Sequence, residues 1–268
     1  MRDTASIATV RALVSESGYG FPDLDGCLDR RDEDALSEYP FALRRVVIAH
    51  DAGEGNVVLI HPDQPRGPDQ PISVRFFGSG CVLVIGPRCL GSGLIRMHAD
   101  NSICVFAGDN VQPAFLSITH WSKGTTSFIG RRTTSNGAQL VLMGEDARIV
   151  VREDCMFSTG IWVKTSDMHA IVDIETGDMV NADPSGGTIE IERHVWLGQD
   201  ALVVNPLTVG AGAIIGARSF LNRSVPPKTL WAGTPARQLR EGVTWLRSHL
   251  VLAEELEDVR ATLAQSNL

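Results

Sequence analysis

Seven histidines, at positions 50, 61, 98, 120, 169, 194 and 249, are the side chains of this 268-residue chain that change charge near neutrality. An imidazole with an unperturbed pKa of about 6.5 suits general-base work, such as drawing the proton from a weakly acidic hydroxyl as its oxygen attacks an acyl carbon. His169 closes the run Ser166-Asp167-Met168-His169. A carboxylate two residues away can hold one ring nitrogen protonated so that the other accepts, and Asp167 reads equally as a turn-forming residue. By residue type alone, His169 is a surface-loop histidine. The five cysteines (27, 81, 89, 104 and 155) are odd in number, lack C-x-x-C spacing and sit in apolar contexts such as Ile103-Cys104-Val105. They read as reduced core thiols of a cytoplasmic protein, and no metal site is expected.

What holds such residues in place is written in the aliphatic spacing. Ile191, Leu197, Val203, Val209, Ile215 and Leu221 recur at every sixth position, and four residues after each comes Val195, Ala201, Leu207, Ala213, Ser219 or Val225, small or aliphatic. Six is neither the period of a helix nor that of a plain strand, so it marks a flat face that returns after a corner: a hexapeptide β-solenoid. The beat is present earlier at Met143 and Ile149 and, after a two-residue slip, at Val151, Phe157 and Val163. It then breaks, because Ile191 lies 28 residues beyond Val163, which is four hexads plus four. Residues 164–188 therefore leave the faces as a long loop, and long loops on rigid scaffolds carry function. From Val46 onward, apolar stretches separated by Gly, Pro and Asp corners (RRVVIAH, NVVLIHP, ISVRFF, CVLVIGP, NSICVFAG) predict strands of earlier coils.

The chain divides into an N-terminal cap (1–45), helical or irregular, a parallel β-helix (46–230) with the inserted loop, and a C-terminal segment (231–268) that ends in an amphipathic helix from about Val243. A terminal helix protects the open end of a strand stack. Aromatics at 6%, with 26 Gly and 13 Pro, suit short strands and tight corners. A net charge of -8 argues against a nucleic-acid partner. The first residues lack the apolar stretch of a secretory signal, and no stretch approaches the roughly 18 apolar residues of a membrane span.

Three runs go further: Ile191-Glu-Arg-His-Val-Trp-Leu-Gly198, Val209-Gly-Ala-Gly-Ala-Ile-Ile-Gly216-Ala-Arg-Ser219 and Ala232-Gly-Thr-Pro-Ala-Arg237. Together they resemble the C-terminal half of hexapeptide-repeat acyltransferases. Met156-Phe-Ser-Thr-Gly-Ile161 with Thr165-Ser-Asp-Met-His169 resembles the branch that acetylates hydroxyls of bacterial capsule, exopolysaccharide and lipopolysaccharide sugars. The resemblance covers roughly residues 140–240 and implies a mainly β, left-handed parallel β-helix. It further implies a homotrimer that binds acetyl-CoA between subunits and direct transfer to a carbohydrate acceptor. Family hexads place a small or polar residue where Val204 stands, which predicts a distorted coil around Asn205-Pro206.

Carried over by motif, His169 corresponds to the catalytic base; Asp167, read from its position two residues away, either orients that ring or forms a turn. Trp196 projects outward, against the acceptor or the pantetheine arm in the family reading and against a subunit interface otherwise; His194 lines the same cleft or a solvated corner, the latter favoured by residue type. Gly212, Ala213, Ala217, Ser219 and Ala232 flank the pantetheine arm, and Arg223, Lys228 and Arg237 meet the phosphates by charge-assisted bonds. Two other enzyme readings share the fold. N-acyl transfer to an amino-sugar uses the same base and donor. Zinc-dependent carbonic anhydrases need a His-x4-His pair, and no two of the seven histidines are five apart. A silent scaffold predicts neither a loop base nor a cationic end to the repeat.

Overall fold

The computed structural model describes residues 10–11, 24–66, 71–110, 116–181 and 186–264. From Val46 the chain winds as a β-solenoid of parallel strands distributed over three faces. On the first face, Val46–Asp51, Ile72–Phe76, Gly93–Met97, Leu116–His120, Ala138–Leu142, Ile161–Lys164, Leu202–Val204 and Phe220–Leu221 stack in that order. The second face stacks Val57–Ile60, Val82–Ile85, Ile103–Phe106, Thr126–Ile129, Arg148–Val151, Thr188–Ile191 and Leu207–Val209, with Leu28–Asp29 added antiparallel at its edge. The third is narrower and runs Thr134–Ser135, Met156–Phe157, Trp196–Leu197, Ile214–Ile215 and Thr229–Gly233, closed by the antiparallel Ala236–Glu241.

All six of the period-six aliphatics are buried, and so are the six residues that follow them by four. They belong to one interior apolar cluster that runs from Leu36 to Ala236. Ser219 is the polar exception, and its Oγ accepts a hydrogen bond from the Gly233 amide at 3.2 Å. Met143 departs from the expected phase: Leu142 points inward and Met143 outward, because the strand ends at Leu142 and the next rung begins at the corner.

Corners explain how the faces hold register. Between the second and third faces a residue of positive φ recurs in successive coils: Arg88, Asp109, Arg132, Asp154, His194, Gly212 and Lys228. Each of these amides beyond the first donates to the carbonyl just before its counterpart one coil earlier, as Asp154 does to Arg131 and His194 to Glu153. Left-handed backbone is costly for a side chain with Cβ, and a coil-to-coil hydrogen bond at each step offsets it. Asn205 takes the same kind of corner (φ 65°) and donates to the Lys164 carbonyl at 2.9 Å, so the coil at Asn205-Pro206 keeps its course despite Val204.

Outside the solenoid, short helices Glu33–Ser37 and Pro40–Leu43 precede the first coil, and Val10, Leu24 and Cys27 cover the apolar outer side of the second face. Of the first 23 residues of the expected N-terminal cap, all but residues 10–11 lie outside the described residues. The C-terminal helix is shorter than its amphipathic pattern suggests, spanning Ala253–Ala264. Residues 243–252 form instead an irregular strap against the third face, bent through 247–250, because two of their side chains are tied to the solenoid: Trp245 stacks on His194 (centroids 4.3 Å), and Arg247 Nη2 donates to Asp154 Oδ1 at 3.0 Å. No described helix is long and apolar enough to cross a membrane.

Candidate active site

The interrupting loop leaves the first face after Lys164 and is built as a small stapled hairpin. Its root is pinned by Thr165, whose Oγ1 donates to the Met143 carbonyl at 2.8 Å and accepts from the Met143 amide at 2.9 Å. Val172 and Met179 form an antiparallel bridge, and between them Asp173 accepts from the amides of Glu175 and Thr176, which hold its carboxyl below the usual carboxylate range. At the open end sits Asn181. Its Nδ2 donates to the His169 carbonyl (2.8 Å) and to Asp167 Oδ2 (3.2 Å), while its Oδ1 accepts from the Ile171 amide (2.8 Å).

His169 is thereby presented at the corner between the first and second faces, exposed, with no hydrogen-bond partner for its ring among the described residues. Asp167 does not orient it: that carboxylate is bonded to Asn181. The contribution of Asn181 is invisible in the sequence, because its partners lie 10 to 14 positions away and depend on how the hairpin closes.

His194 is placed differently from its expected acceptor role. It is 1% exposed, with Nδ1 2.7 Å from Asp154 Oδ2 and Nε2 2.9 Å from the Trp245 carbonyl, so neither nitrogen is left for a ligand. Burial opposes the charge on Asp154, yet the His194 ring and the Arg247 guanidinium hold its carboxyl below the usual range. A cleft of about 750 Å³ opens beside this junction, lined by Asp109, Asp154, Glu255 and Asp258 as well as Arg132 and Arg247. Four carboxylates make it a poor seat for phosphates. Trp196 projects outward from the third face as its position predicts, but its Nε1 donates to Ser158 Oγ (3.2 Å) and its ring lies 6.2 Å from that of Trp245, leaving it half-buried.

The residues expected along the donor separate into two groups. Ala213 is an interior residue, Ser219 faces inward, and Gly212 is covered, since a Cβ there would meet Leu263 of the helix at 3.0 Å. These three do not line a surface. Ala217, Arg223, Lys228 and Arg237 are exposed and Ala232 is half-exposed. Ala217 follows the third face, Arg223 lies two coils beyond the His169 loop at the same corner, Lys228 is on the opposite corner, and Arg237 is on the closing strand. Within one chain the arrangement unites His169, Asp167 and Arg223 on one edge and leaves Trp196 and Ala217 elsewhere.

All five cysteines are buried. Burial pushes the Cys81 thiol up to about 11 and those of Cys89, Cys104 and Cys155 to about 12. Such thiols are poor nucleophiles at neutral pH.

No protein-family model matches the chain. It is 29% identical over 128 residues to a polysialic acid O-acetyltransferase of Neisseria meningitidis, covering 47% of this chain and 57% of that protein. It is 31% identical over 154 residues to a polysialic acid O-acetyltransferase of Escherichia coli O1:K1 / APEC, covering 58% of this chain and 45% of that protein. The chain thus spans about half the length of these curated relatives. Among solved structures, the polySia-specific acetyltransferase NeuO superposes with a TM-score of 0.71 over 82% of this chain and 98% of that one, at 24% identity. The polysialic acid O-acetyltransferase OatWY gives 0.64 over 81% of this chain and 100% of that one, at 23% identity. The chain shares the β-solenoid fold of these two acetyltransferases, from its strand series to its overall course.

Proposed function

We propose that the protein is an acetyl-CoA-dependent O-acetyltransferase that modifies a hydroxyl of a capsular or related bacterial polysaccharide. The observation that carries this reading is His169, an imidazole without a ring partner among the described residues, held off a rigid solenoid by a hairpin with its own staple. In this role His169 takes the proton of the acceptor hydroxyl as its oxygen attacks the thioester carbonyl. It then returns that proton to the departing CoA sulfur, so base and acid are one ring. A covalent acyl-enzyme on cysteine is disfavoured, because all five thiols are buried and those of Cys81, Cys89, Cys104 and Cys155 are held protonated, which supports direct transfer. The exposed small residues Ala217 and Ala232 suit a thin pantetheine arm, and the exposed cations Arg223, Lys228 and Arg237 suit phosphates.

The active unit in this reading is a homotrimer with sites between subunits, in the cytoplasm where donor and reduced thiols coexist. The separation of His169 from Trp196 and Ala217 within the chain supports it, since a neighbouring copy would have to supply the missing wall. The loop tip supports it as well: Ile171, Val172, Ile174 and Val180 are all exposed.

The test is acetyl transfer from acetyl-CoA to polysialic acid, read as thiol release and as product ester. His169→Ala is expected to lower turnover by about 10² to 10⁴, the usual range for loss of a general base. Undiminished turnover would remove His169 from the chemistry. Mild alkali separates the two transfer readings, since a sugar ester is cleaved and an amide survives.

A further inference from the structure

Among the outward positions of the first face, from the strand at Ile72 to the strand at Phe220, the charged side chains are Arg75, Arg96 and Lys164, three cations and no acid, in a chain whose net charge is -8. Arg75 and Arg96 are direct partners on neighbouring strands. Like charges directly opposite each other destabilise a sheet. Neither has an ion-pair partner among the described residues; Arg96 makes a long contact with Ser117 Oγ at 3.4 Å. The same row continues through Thr119, a short side chain only 8% exposed, and Val141 to Lys164, the last residue before the His169 loop. At about 4.8 Å per rung this row spans about 19 Å.

Beside it, at the corner, runs an aromatic ladder. Phe77 and His98 stack at 4.6 Å, His98 and Trp121 at 4.0 Å, and Met143 is the next rung, bonded to the loop root Thr165. These rings face one another, so they offer a ligand their edges and form a wall more than a stacking platform. The other two faces are partly covered by the chain itself, the second by Val10, Leu24 and Cys27 and the third by the strap at Trp245.

We infer that the first face is the track on which an anionic polysaccharide acceptor lies along the solenoid axis, its acidic groups on Arg75, Arg96 and Lys164, and that it leads the chain to His169. The inference rests on the O-acetyltransferase reading for its direction toward His169, and on charge alone for its ligand class. A polyanion relieves the Arg75–Arg96 repulsion, whereas a second copy of the same face would add to it.

The experiment measures binding of three polymers of matched length to the full chain: polysialic acid, polygalacturonate and neutral dextran. Both polyanions are expected to bind, more weakly as salt rises, and dextran not to. Arg75→Gln with Arg96→Gln should raise Kd for the polyanions at least tenfold, while Arg148→Gln on the second face leaves it unchanged. The double variant should melt no lower than the parent, since it loses a repulsion and no ion pair. Dextran binding as tightly as the polyanions, or a Kd unmoved by the double substitution, overturns the track. A change in sedimentation mass in place of Kd also overturns it and makes the face a subunit contact. Charge-dependent binding without acetyl transfer to polysialic acid upholds the track and removes the enzymatic reading; transfer with KM unmoved by the double variant does the reverse.

Discussion

Asn181 makes more of its side chain than any other residue near His169: a donor to the His169 carbonyl, a donor to Asp167 and an acceptor from Ile171. Each such bond is worth about 0.5–1.5 kcal/mol net, enough together to favour one loop path over many. Asn181 acts on chemistry through His169 and so is a positioning residue. Asn181→Ala is expected to lower kcat about tenfold or more, with KM for acetyl-CoA and the pH dependence of kcat/KM unchanged, because the base itself is intact. Asn181→Asp keeps the acceptor and loses both donors, placing a second carboxylate beside Asp167, and should not restore the rate. A wild-type kcat in Asn181→Ala would show that the loop needs no staple. Asp167, by contrast, is visible in the sequence as a neighbour of His169, yet its carboxylate is engaged with Asn181. Sequence proximity sets Asp167 beside His169, whereas hairpin closure bonds Asp167 to Asn181, because closure decides which side chains meet.

At the level of strands and coils, an interior histidine bears on stability in acid. His120 is fully buried on the strand Leu116–His120, with Nδ1 2.9 Å from Thr125 Oγ1 and Nε2 3.0 Å from Ser127 Oγ. Burial pushes its pKa down to about 3, with the Thr125 backbone contact opposing it in part. A histidine whose folded pKa lies below its unfolded value binds fewer protons folded than unfolded between the two, so stability rises with pH across that window. It is complete above about 6.5 and falls as the solution is acidified toward about 3, by at most about 1.4 kcal/mol per pH unit from this group. His120→Gln should flatten the acid limb of a Tm-against-pH curve over that window whatever its effect at neutral pH; an unchanged slope would assign acid sensitivity elsewhere. The solenoid around it was legible from period six because Ile191 through Leu221 must all face one interior. The strands Gly93–Met97 and Leu116–His120 were harder to read, since buried Ser117, Thr119 and His120 break the apolar alternation, and their register comes from neighbours in the stack. The strap was misread as helix for a similar reason: residues 243–252 have helical apolar spacing, but Trp245 and Arg247 obtain more from docking on His194 and Asp154 than a turn of helix would return. Trp245→Ala is therefore expected to destabilise the fold by about 3–5 kcal/mol, the usual cost of emptying a buried aromatic site, measurable by denaturant unfolding.

For the whole molecule, the decisive matter is what the hairpin tip touches. Ile174 is 96% exposed, and its neighbours Ile171, Val172 and Val180 are each more than half exposed. These exposed aliphatics share one hairpin, and exposed apolar patches mark association surfaces. The tip belongs to the same hairpin that carries His169, so association and catalysis would be coupled by construction: the contact that assembles the proposed trimer would also fix the base against the neighbouring solenoid. Ile174→Asp separates the two ideas cleanly, because the side chain is almost wholly in solvent within one chain and its replacement costs the monomer little. The expected result is a sedimentation mass reduced from trimer to monomer, far-UV circular dichroism unchanged, and acetyl transfer lowered by at least tenfold. A trimer that persists with full activity would place the association surface elsewhere. A monomer that retains full transfer would mean that Trp196, Ala217 and the exposed cations are not needed opposite His169, and that one chain carries a complete site on the edge shared by His169 and Arg223.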